Sequence, residues 1–193
     1  MLSILAGFLI AMGGIINLTL GSIPGALFFS LGLITIMTFN YELFTGKAGL
    51  LATGEIKYKK LAEIWIGNFI GAGLCAFLIC LTPSSQNLFI KASEIVALRS
   101  SQPAIVNMVL GIFCGVLMYI AVNGYKKSKN YLFCMLPVAF FILCGFNHCV
   151  ADMFYTALGA TELGHLAHLV PTTVGNIIGT NLIPLMEYYH RGV

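Results

Sequence analysis

The amino-acid sequence predicts an all-α integral membrane protein of one domain, residues 1–193. Of its 193 residues, 59% are hydrophobic and only 9% are charged, whereas soluble domains carry about 25% charged residues. The mean hydropathy is +0.93. The apolar residues form six runs. A helix that crosses a bilayer core needs about 20 apolar residues. We therefore expect six membrane-spanning segments.

The six segments are joined mostly by short connections. Their approximate spans are Leu2–Leu20, Pro24–Thr53, Leu61–Leu81, Pro103–Val122, Tyr131–Leu158 and Leu166–Tyr188. The second and fifth segments are too long for one simple crossing, and polar residues interrupt each of them, at 40–47 and at 144–154. We interpret both as broken helices, in which an unwound piece of backbone joins two half-helices.

The distribution of cationic residues predicts the orientation in the membrane. These residues follow the second, fourth and sixth segments: Lys57, Lys59, Lys60, Lys126, Lys127, Lys129 and Arg191. With six crossings all these places lie on one side, which we expect to be the cytoplasmic side, together with both termini. The opposite side has a longer loop at 82–102, which carries Arg99. We expect a multi-pass protein of the cell (inner) membrane.

An internal repeat relates the two halves of the chain. The sequence G-N-F-I-G at 67–71 recurs as G-N-I-I-G at 175–179, 108 residues later, and an interrupted segment precedes each copy. Three crossings separate the copies, so the halves insert with opposite orientations. This predicts inverted repeats at about 1–82 and 103–190, linked by an external loop at 83–102, and such repeats mark transport pathways. The alternative is chance recurrence of glycine-rich helices, which serve close packing in membranes.

The stretch 144–154 carries the most chemistry. It places Asn147, His148 and Asp152 inside an otherwise apolar segment. Ionisable groups at membrane depth are costly, and they usually mark functional sites. His148 is therefore the first candidate site residue. The alternative is a buried structural histidine whose neighbours satisfy both ring nitrogens.

Several motifs, in order along nearly the whole chain, resemble those of the formate/nitrite transporter family. They are E-L-F-T-G at 42–46, G-I-F-C at 111–114, G-F-N-H at 145–148 followed by M-F at 153–154, and N-L-I-P at 181–184. The resemblance implies an aquaporin-like fold and a homopentamer with one pore in each protomer. It also implies small monovalent anions of weak acids as substrates, such as formate, nitrite, hydrosulfide or acetate.

The resemblance also implies roles for individual residues. His148 matches the central histidine of the family, and Thr45 matches the threonine that faces it. The other matched positions are Phe29, Leu33 and Phe141 for a cytoplasmic constriction, Leu43, Phe44 and Met118 for a periplasmic one, and Arg99 for a lysine that supplies vestibule charge. The repeat offset of 108 residues maps Leu33 onto Phe141, which supports placing both at one constriction.

Three positions depart from the family pattern. Asn147 stands where the family usually has glutamate, Asp152 where it usually has asparagine, and Gly115 where it often has asparagine. We include all three among the candidate pore residues. Asp152 follows His148 by four residues, so on one helix the two side chains share a face. We expect the Asp152 carboxylate to accept a hydrogen bond from His148; the alternative is that it faces a neighbouring protomer or caps backbone amides.

The predicted function is conduction of small weak-acid anions through two apolar constrictions around His148, with a proton supplied by His148 or by bulk water. The lipid bilayer, the anion and further copies of the chain are the expected partners. A channel for neutral solutes and a membrane-embedded enzyme that uses His148 and Asp152 are the alternatives. We expect no cofactor, metal or nucleic acid, and we interpret His165 and His168 as interfacial residues.

Overall fold

The computed structural model describes residues 1–191, with side chains placed through His190. The Arg191 side chain and residues 192 and 193 lie outside the described part, so the contribution of Arg191 to orientation stays a prediction. Within residues 1–191 the chain is helical, without strands. The all-α class predicted from composition is therefore correct.

Most of the α-helices follow the apolar runs of the sequence. They are α1 (Leu2–Leu20), α2 (Ser22–Thr38), α3 (Phe44–Ala48), α4 (Tyr58–Cys80), α5 (Ser85–Ser101), α6 (Ala104–Ser128), α7 (Leu132–Leu143), α8 (Cys149–Gly159) and α9 (Leu169–Arg191). Two short 3-10 turns lie at Gly49–Leu51 and Leu163–Leu166. Four stretches are long and apolar enough to cross a membrane, namely α1, α4, α6 and Leu163–His190, whereas α2 and α7 are shorter apolar helices.

The helices pack in two matching sets. In the first half of the chain α1 packs against α2 and α4, and in the second half α6 packs against α7 and α9. The two halves meet where α2 packs on α7, where α8 packs on α4 and where α3 packs on α9. The shorter helices α2, α3, α7 and α8 therefore pack against the longer ones.

The backbone between α2 and α3 has the same geometry as the backbone between α7 and α8. Asn40 and Gly145 adopt the left-handed conformation, with φ of 55° and 71°, which glycine and asparagine tolerate best. In each case the next amide returns to the preceding helix: Tyr41 N–H donates to the Ile36 carbonyl and Phe146 N–H to the Phe141 carbonyl, both at 2.9 Å. Equivalent residues here lie 105 positions apart, so Leu33 corresponds to Val138, and the mapping of Leu33 onto Phe141 is wrong.

The segment 82–102 differs from the expected loop. It forms α5, whose buried residues Leu88, Ala92 and Val96 recur every four positions, the spacing of one helix face. Polar and charged residues such as Lys91, Glu94 and Arg99 interrupt its apolar positions, so a search for apolar spans does not detect it. Lys91 on α5 donates to the Leu18 carbonyl at 2.5 Å, which fixes α5 beside the C-terminal end of α1.

Glycines allow the long helices to approach closely. A Cβ at Gly71 on α4 would overlap the Ile4 carbonyl of α1, and a Cβ at Gly179 on α9 would overlap the Ile112 carbonyl of α6. Small residues at helix contacts are the usual means of close packing in membranes. The G-N-x-x-G sequences thus lie at corresponding helix contacts in the two halves.

A glycine pair on α4 tests this packing. Gly71→Ala should lower the free energy of unfolding by about 1–3 kcal/mol, because the added methyl forces α1 and α4 apart. Gly73→Ala is the matched control, since no atom of another helix in the described part of the chain lies within 4 Å of its added Cβ. The measurement is denaturant unfolding of each purified variant in detergent micelles. Equal midpoints for the two variants would contradict the close contact at Gly71.

Candidate functional site

The candidate site is built around His148, the residue that precedes α8. His148 has an extended backbone, and its Nδ1 accepts a hydrogen bond from the Ala151 N–H at 3.1 Å. The ring thus caps the first turn of its own helix. Because Nδ1 is an acceptor, the neutral ring carries its hydrogen on Nε2. Nε2 lies 2.9 Å from Thr45 Oγ1 on α3, so His148 donates to Thr45.

Aromatic side chains cover the other faces of this pair. The Phe141 ring stacks on the His148 ring, with centroids 5.5 Å apart and planes at 13°. Phe29 meets Phe141 edge to face at 6.1 Å. A cavity of about 190 Å³ opens beside these rings. We call it the Arg99 cavity; it is lined by Phe29, Arg99, Phe141, Asn147 and His148, among others.

Two asparagines hold the half-helices in place. Asn176 Oδ1 accepts from the Cys149 N–H, while its Nδ2 donates to the Asn147 and Gly111 carbonyls, all at 2.8 Å. Asn68 makes the same set of contacts for the other half-helix: its Oδ1 accepts from the Phe44 N–H at 2.8 Å. Its Nδ2 donates to the carbonyls of Glu42 and Ser3. The two amides therefore satisfy backbone groups that the helix breaks leave free.

A hydrogen-bonded chain connects Asn147 to α5. Asn147 Nδ2 donates to Asn107 Oδ1 on α6, and Asn107 Nδ2 donates to the Arg99 carbonyl, both at 2.8 Å. Asn147 and Asn107 are almost fully buried. A neutral amide at 147 thus fixes the end of α5 relative to the break beside His148.

Asp152 pairs with Arg99 and not with His148. The Arg99 guanidinium donates to Asp152 Oδ1, and Asp152 Oδ2 lies 3.9 Å from His168 Nε2. The expected hydrogen bond from His148 is wrong because His148 is not helical, so the four-residue spacing does not bring the two side chains together. Arg99 is not a freely solvated vestibule charge either, since only 13% of its side chain is exposed.

The grouping of the constriction residues also needs correction. Leu33 lines a second cavity of about 20 Å³ together with Leu43, Lys47 and Lys126; we call it the Lys126 cavity. Phe29 lies one turn earlier on α2, about 6 Å along the axis, and lines the Arg99 cavity. The four-residue spacing of Phe29 and Leu33 correctly predicts a shared helix face, but it does not predict that the two side chains lie at different depths along α2. Phe29 and Phe141 therefore form one group, and Leu33 and Leu43 form another.

The remaining predicted residues are packed elsewhere. Gly115 lies against the α9 backbone, with the Asn176 carbonyl 2.6 Å from an added Cβ, and it lines neither cavity. Phe44 and Met118 are buried without lining these two cavities. His168 is buried beside Asp152 and is not interfacial, whereas the half-buried His165 contacts Glu162 at 3.4 Å.

Sequence reasoning missed Asn107 and Tyr155. Tyr155 accepts a hydrogen bond from Asn17 at 3.3 Å, and the Arg99 guanidinium lies over its ring at 5.6 Å. Asparagines inside apolar segments were the available signal, because a polar side chain at membrane depth must find a partner. In the part of the chain that the structure describes, no group of three or more metal-ligating side chains occurs.

Comparison with known proteins identifies the family. The family model described as "Formate/nitrite transporter" matches residues 1–190. The chain belongs to the formate/nitrite transporter family. It is similar to the formate channel FocA of Escherichia coli strain K12, with 28% identity over 97% of this chain and 84% of the relative. FocA of Haemophilus influenzae is 27% identical over 83% of this chain and 70% of the relative.

Solved structures share the fold. A pentameric formate channel with formate bound superposes with a TM-score of 0.83 at 24% identity, covering 99% of this chain and 95% of that chain. An ion channel of the same family gives a TM-score of 0.85 at 24% identity, covering 98% of this chain and 88% of that one. The family that the motifs resemble is thus confirmed, and the protein is a multi-pass membrane protein with the fold of these channels.

The capping asparagines give a prediction about stability. Asn176→Ala should lower the free energy of unfolding by on the order of 3 kcal/mol, because it leaves buried backbone groups at 147 and 149 unpaired. Asn123→Ala is the control, since Asn123 Nδ2 donates only within its own helix, to the Tyr119 carbonyl at 3.2 Å. Unfolding midpoints of both variants in detergent measure the difference. An Asn176 variant as stable as the Asn123 variant would show that the caps are dispensable.

Proposed function

We propose that this protein is a channel for small monovalent anions of weak acids, with formate or nitrite foremost and hydrosulfide or acetate also accepted. The observation that carries the proposal is the buried His148–Thr45 pair at the end of the Arg99 cavity, between two groups of apolar side chains. The names of the related proteins, formate channels in two bacteria, support it.

The proposed mechanism follows from the cost of desolvating an ion. An anion that leaves water for an apolar constriction loses hydration worth several kcal/mol. A small acid that carries its proton does not bear this cost. His148 Nε2–H is the donor nearest the constrictions, and it can hydrogen-bond the substrate in place of Thr45. The proton itself comes from water in the Arg99 cavity or from His148. To give up its Nε2 proton without becoming an imidazolate, His148 first takes a proton on Nδ1 and releases the Ala151 N–H.

The membrane arrangement is part of the proposal. We propose six crossings, of which α2 with α3 and α7 with α8 each serve as one, in inverted repeats at about 1–82 and 103–190. The matching backbone at Asn40 and Gly145 and the matching asparagine caps support the repeat. We propose that the side with the lysines near the Lys126 cavity is cytoplasmic, because cytoplasmic loops carry an excess of lysine and arginine. Both termini are proposed to lie on that side of the cell (inner) membrane. The Arg99 cavity, with Phe29 and Phe141, then faces outward.

A homopentamer is the proposed assembly, because the related solved channel is pentameric. Each protomer carries its own pair of cavities, so each has its own pore. Transport is favoured over catalysis because the relatives are named as channels and transporters. The enzyme alternative also required His148 and Asp152 to act together, and they do not contact each other through their side chains.

Flux measurements in proteoliposomes test the proposal. Purified protein is reconstituted, and the uptake of formate, nitrite, hydrosulfide and glycerol is compared with that of protein-free vesicles. We expect uptake of the first three and little uptake of glycerol. Uptake of glycerol at the rate of formate would favour the alternative of a neutral-solute channel.

The cost of desolvating an anion predicts that the rate of uptake depends on pH. Formate uptake under a fixed anion gradient should rise as the external pH falls from about 8 to about 5, because the neutral share of the acid grows about tenfold for each unit. Uptake is followed at each pH with the internal pH buffered. Equal rates at both ends of the range would rule out proton-coupled passage.

The aromatic pair predicts how the channel selects by size. Phe141→Ala removes the ring that stacks on His148 and contacts Phe29, so larger monocarboxylates such as lactate should enter. A loss of stability of about 3–5 kcal/mol is also expected for a buried phenylalanine. Phe140→Ala is the control, because Phe140 is exposed on the same helix. The ratio of lactate to formate uptake measures the effect, and an unchanged ratio in a folded variant would place Phe141 outside the pathway.

A further inference from the structure

Three charged or titratable side chains form a closed cluster beside the Arg99 cavity. Arg99 on α5 lines the cavity and binds Asp152 Oδ1 on α8. Asp152 is 0% exposed, and its second oxygen, Oδ2, faces His168 Nε2 at 3.9 Å. His148, His168 and Asp152 thus lie on or beside one cavity, but only His148 has a role in the proposed pathway.

The facing atoms of Asp152 and His168 are both unpaired. Within the part of the chain that the structure describes, neither Asp152 Oδ2 nor His168 Nε2 has a hydrogen-bond partner, although both are buried. His168 Nδ1 lies 2.8 Å from the His165 carbonyl, which can only accept, so Nδ1 carries a hydrogen. In the neutral ring Nε2 is then a lone pair that faces a carboxylate oxygen. Two buried acceptors that face each other are unfavourable.

A single proton removes this conflict. On Nε2 it would make His168 an imidazolium that donates to Asp152 Oδ2, while Arg99 keeps Oδ1 and stabilises the carboxylate. We propose that Asp152 and His168 bind one exchangeable proton between them, held on His168 Nε2, and that this proton decides whether Arg99 presents a net positive charge to the cavity.

The proposal makes the cluster a loading site for an anion together with a proton. Without the proton, the charges of Arg99 and Asp152 cancel, and the cavity attracts no anion. With it, the three groups carry a net charge of +1, and a small monovalent anion that enters the cavity is attracted to Arg99. Asp152 and His168 are therefore positioning residues that set specificity for anions and act through Arg99.

Other titratable groups around the cluster do not supply this proton balance. They are Tyr155 and Cys149 on α8, His148 before it, Cys114 on α6, and His165 with Glu162 beside the turn at Leu163–Leu166. Tyr155 and the cysteines are neutral near neutral pH. His148 already uses both ring nitrogens, and His165 pairs with Glu162, whose side chain is 71% exposed.

Transport kinetics in proteoliposomes give the first test, which rests on the proposed function. At about pH 8, Asp152→Asn should lower the apparent KM for formate about tenfold, because Arg99 is no longer neutralised, and should match wild type at about pH 5.5. His168→Gln should do the reverse: it should match wild type at about pH 8 and raise the apparent KM about tenfold at about pH 5.5. The maximal rate should change little in either variant.

Variant-to-wild-type ratios at each pH cancel any effect of pH that His148 or the substrate itself contributes. His165→Gln is the matched control, because it removes the neighbouring histidine ring but keeps the backbone carbonyl that holds His168. Its ratio should stay near one at both pH values. Ratios for Asp152→Asn and His168→Gln that do not change with pH would overturn the proposal.

The second test does not depend on transport. Wild-type protein labelled with nitrogen-15 in its four histidines is titrated in lipid by solid-state NMR. We expect an imidazolium signal that grows between about pH 8 and 5.5, is absent in His168→Gln and weakens in Asp152→Asn. A His168 that stays neutral throughout, for instance because a water bridges the two acceptors, overturns the proposal even if Asp152→Asn fails to fold. Absence of formate uptake by wild type with the titration intact would instead overturn the proposed function.

Discussion

The structure depends on satisfying the backbone at two helix breaks inside an apolar environment. A half-helix that begins at membrane depth exposes amide groups that lipid cannot bind. Asn68 and Asn176 each bind one such amide and the carbonyl two residues before it. The glycines beside these asparagines let α4 and α9 approach α1 and α6 closely enough to complete the contacts. Close helix packing is thus required for the asparagine contacts at both breaks. His148 and Thr45 lie next to each other because both breaks are held in this way.

His148 contributes to this arrangement as well as to the proposed pathway. Its Nδ1 caps α8 while its Nε2 faces Thr45, so the ring links both half-helices. A substrate can accept the hydrogen bond from Nε2–H in place of Thr45. The hydrogen bond between Nδ1 and the Ala151 N–H then stays intact. The fold can therefore release the ring toward a ligand without breaking the turn that holds it.

Sequence reasoning identified the family because its motifs occur in order along the chain. Polar residues within two apolar runs also indicated the places where α2 and α7 end. The depth of a side chain in the membrane and the identity of its contact partner have no such local signal in the sequence. Helical spacing places Phe29 and Leu33 on one face of α2. It does not show that the two side chains, one turn apart, line different cavities. The same spacing failed for Asp152, because His148 is a cap with extended backbone. The composition of segment 82–102 predicts a loop because polar residues interrupt its apolar ones, yet the segment forms α5.

The two departures from the family pattern at 147 and 152 are related in three dimensions. Relative to the family pattern, position 147 has no carboxylate and position 152 has an additional one. In the structure both side chains reach α5: Asn147 through Asn107 to the Arg99 carbonyl, and Asp152 directly to the Arg99 guanidinium. The side chain at 147 contacts Asn107 and not the His148 ring, whereas the carboxylate at 152 lies between Arg99 and His168. Both departures therefore act on α5 beside the Arg99 cavity. On the proposal above, the position that responds to a proton is therefore His168 and not the central ring of His148.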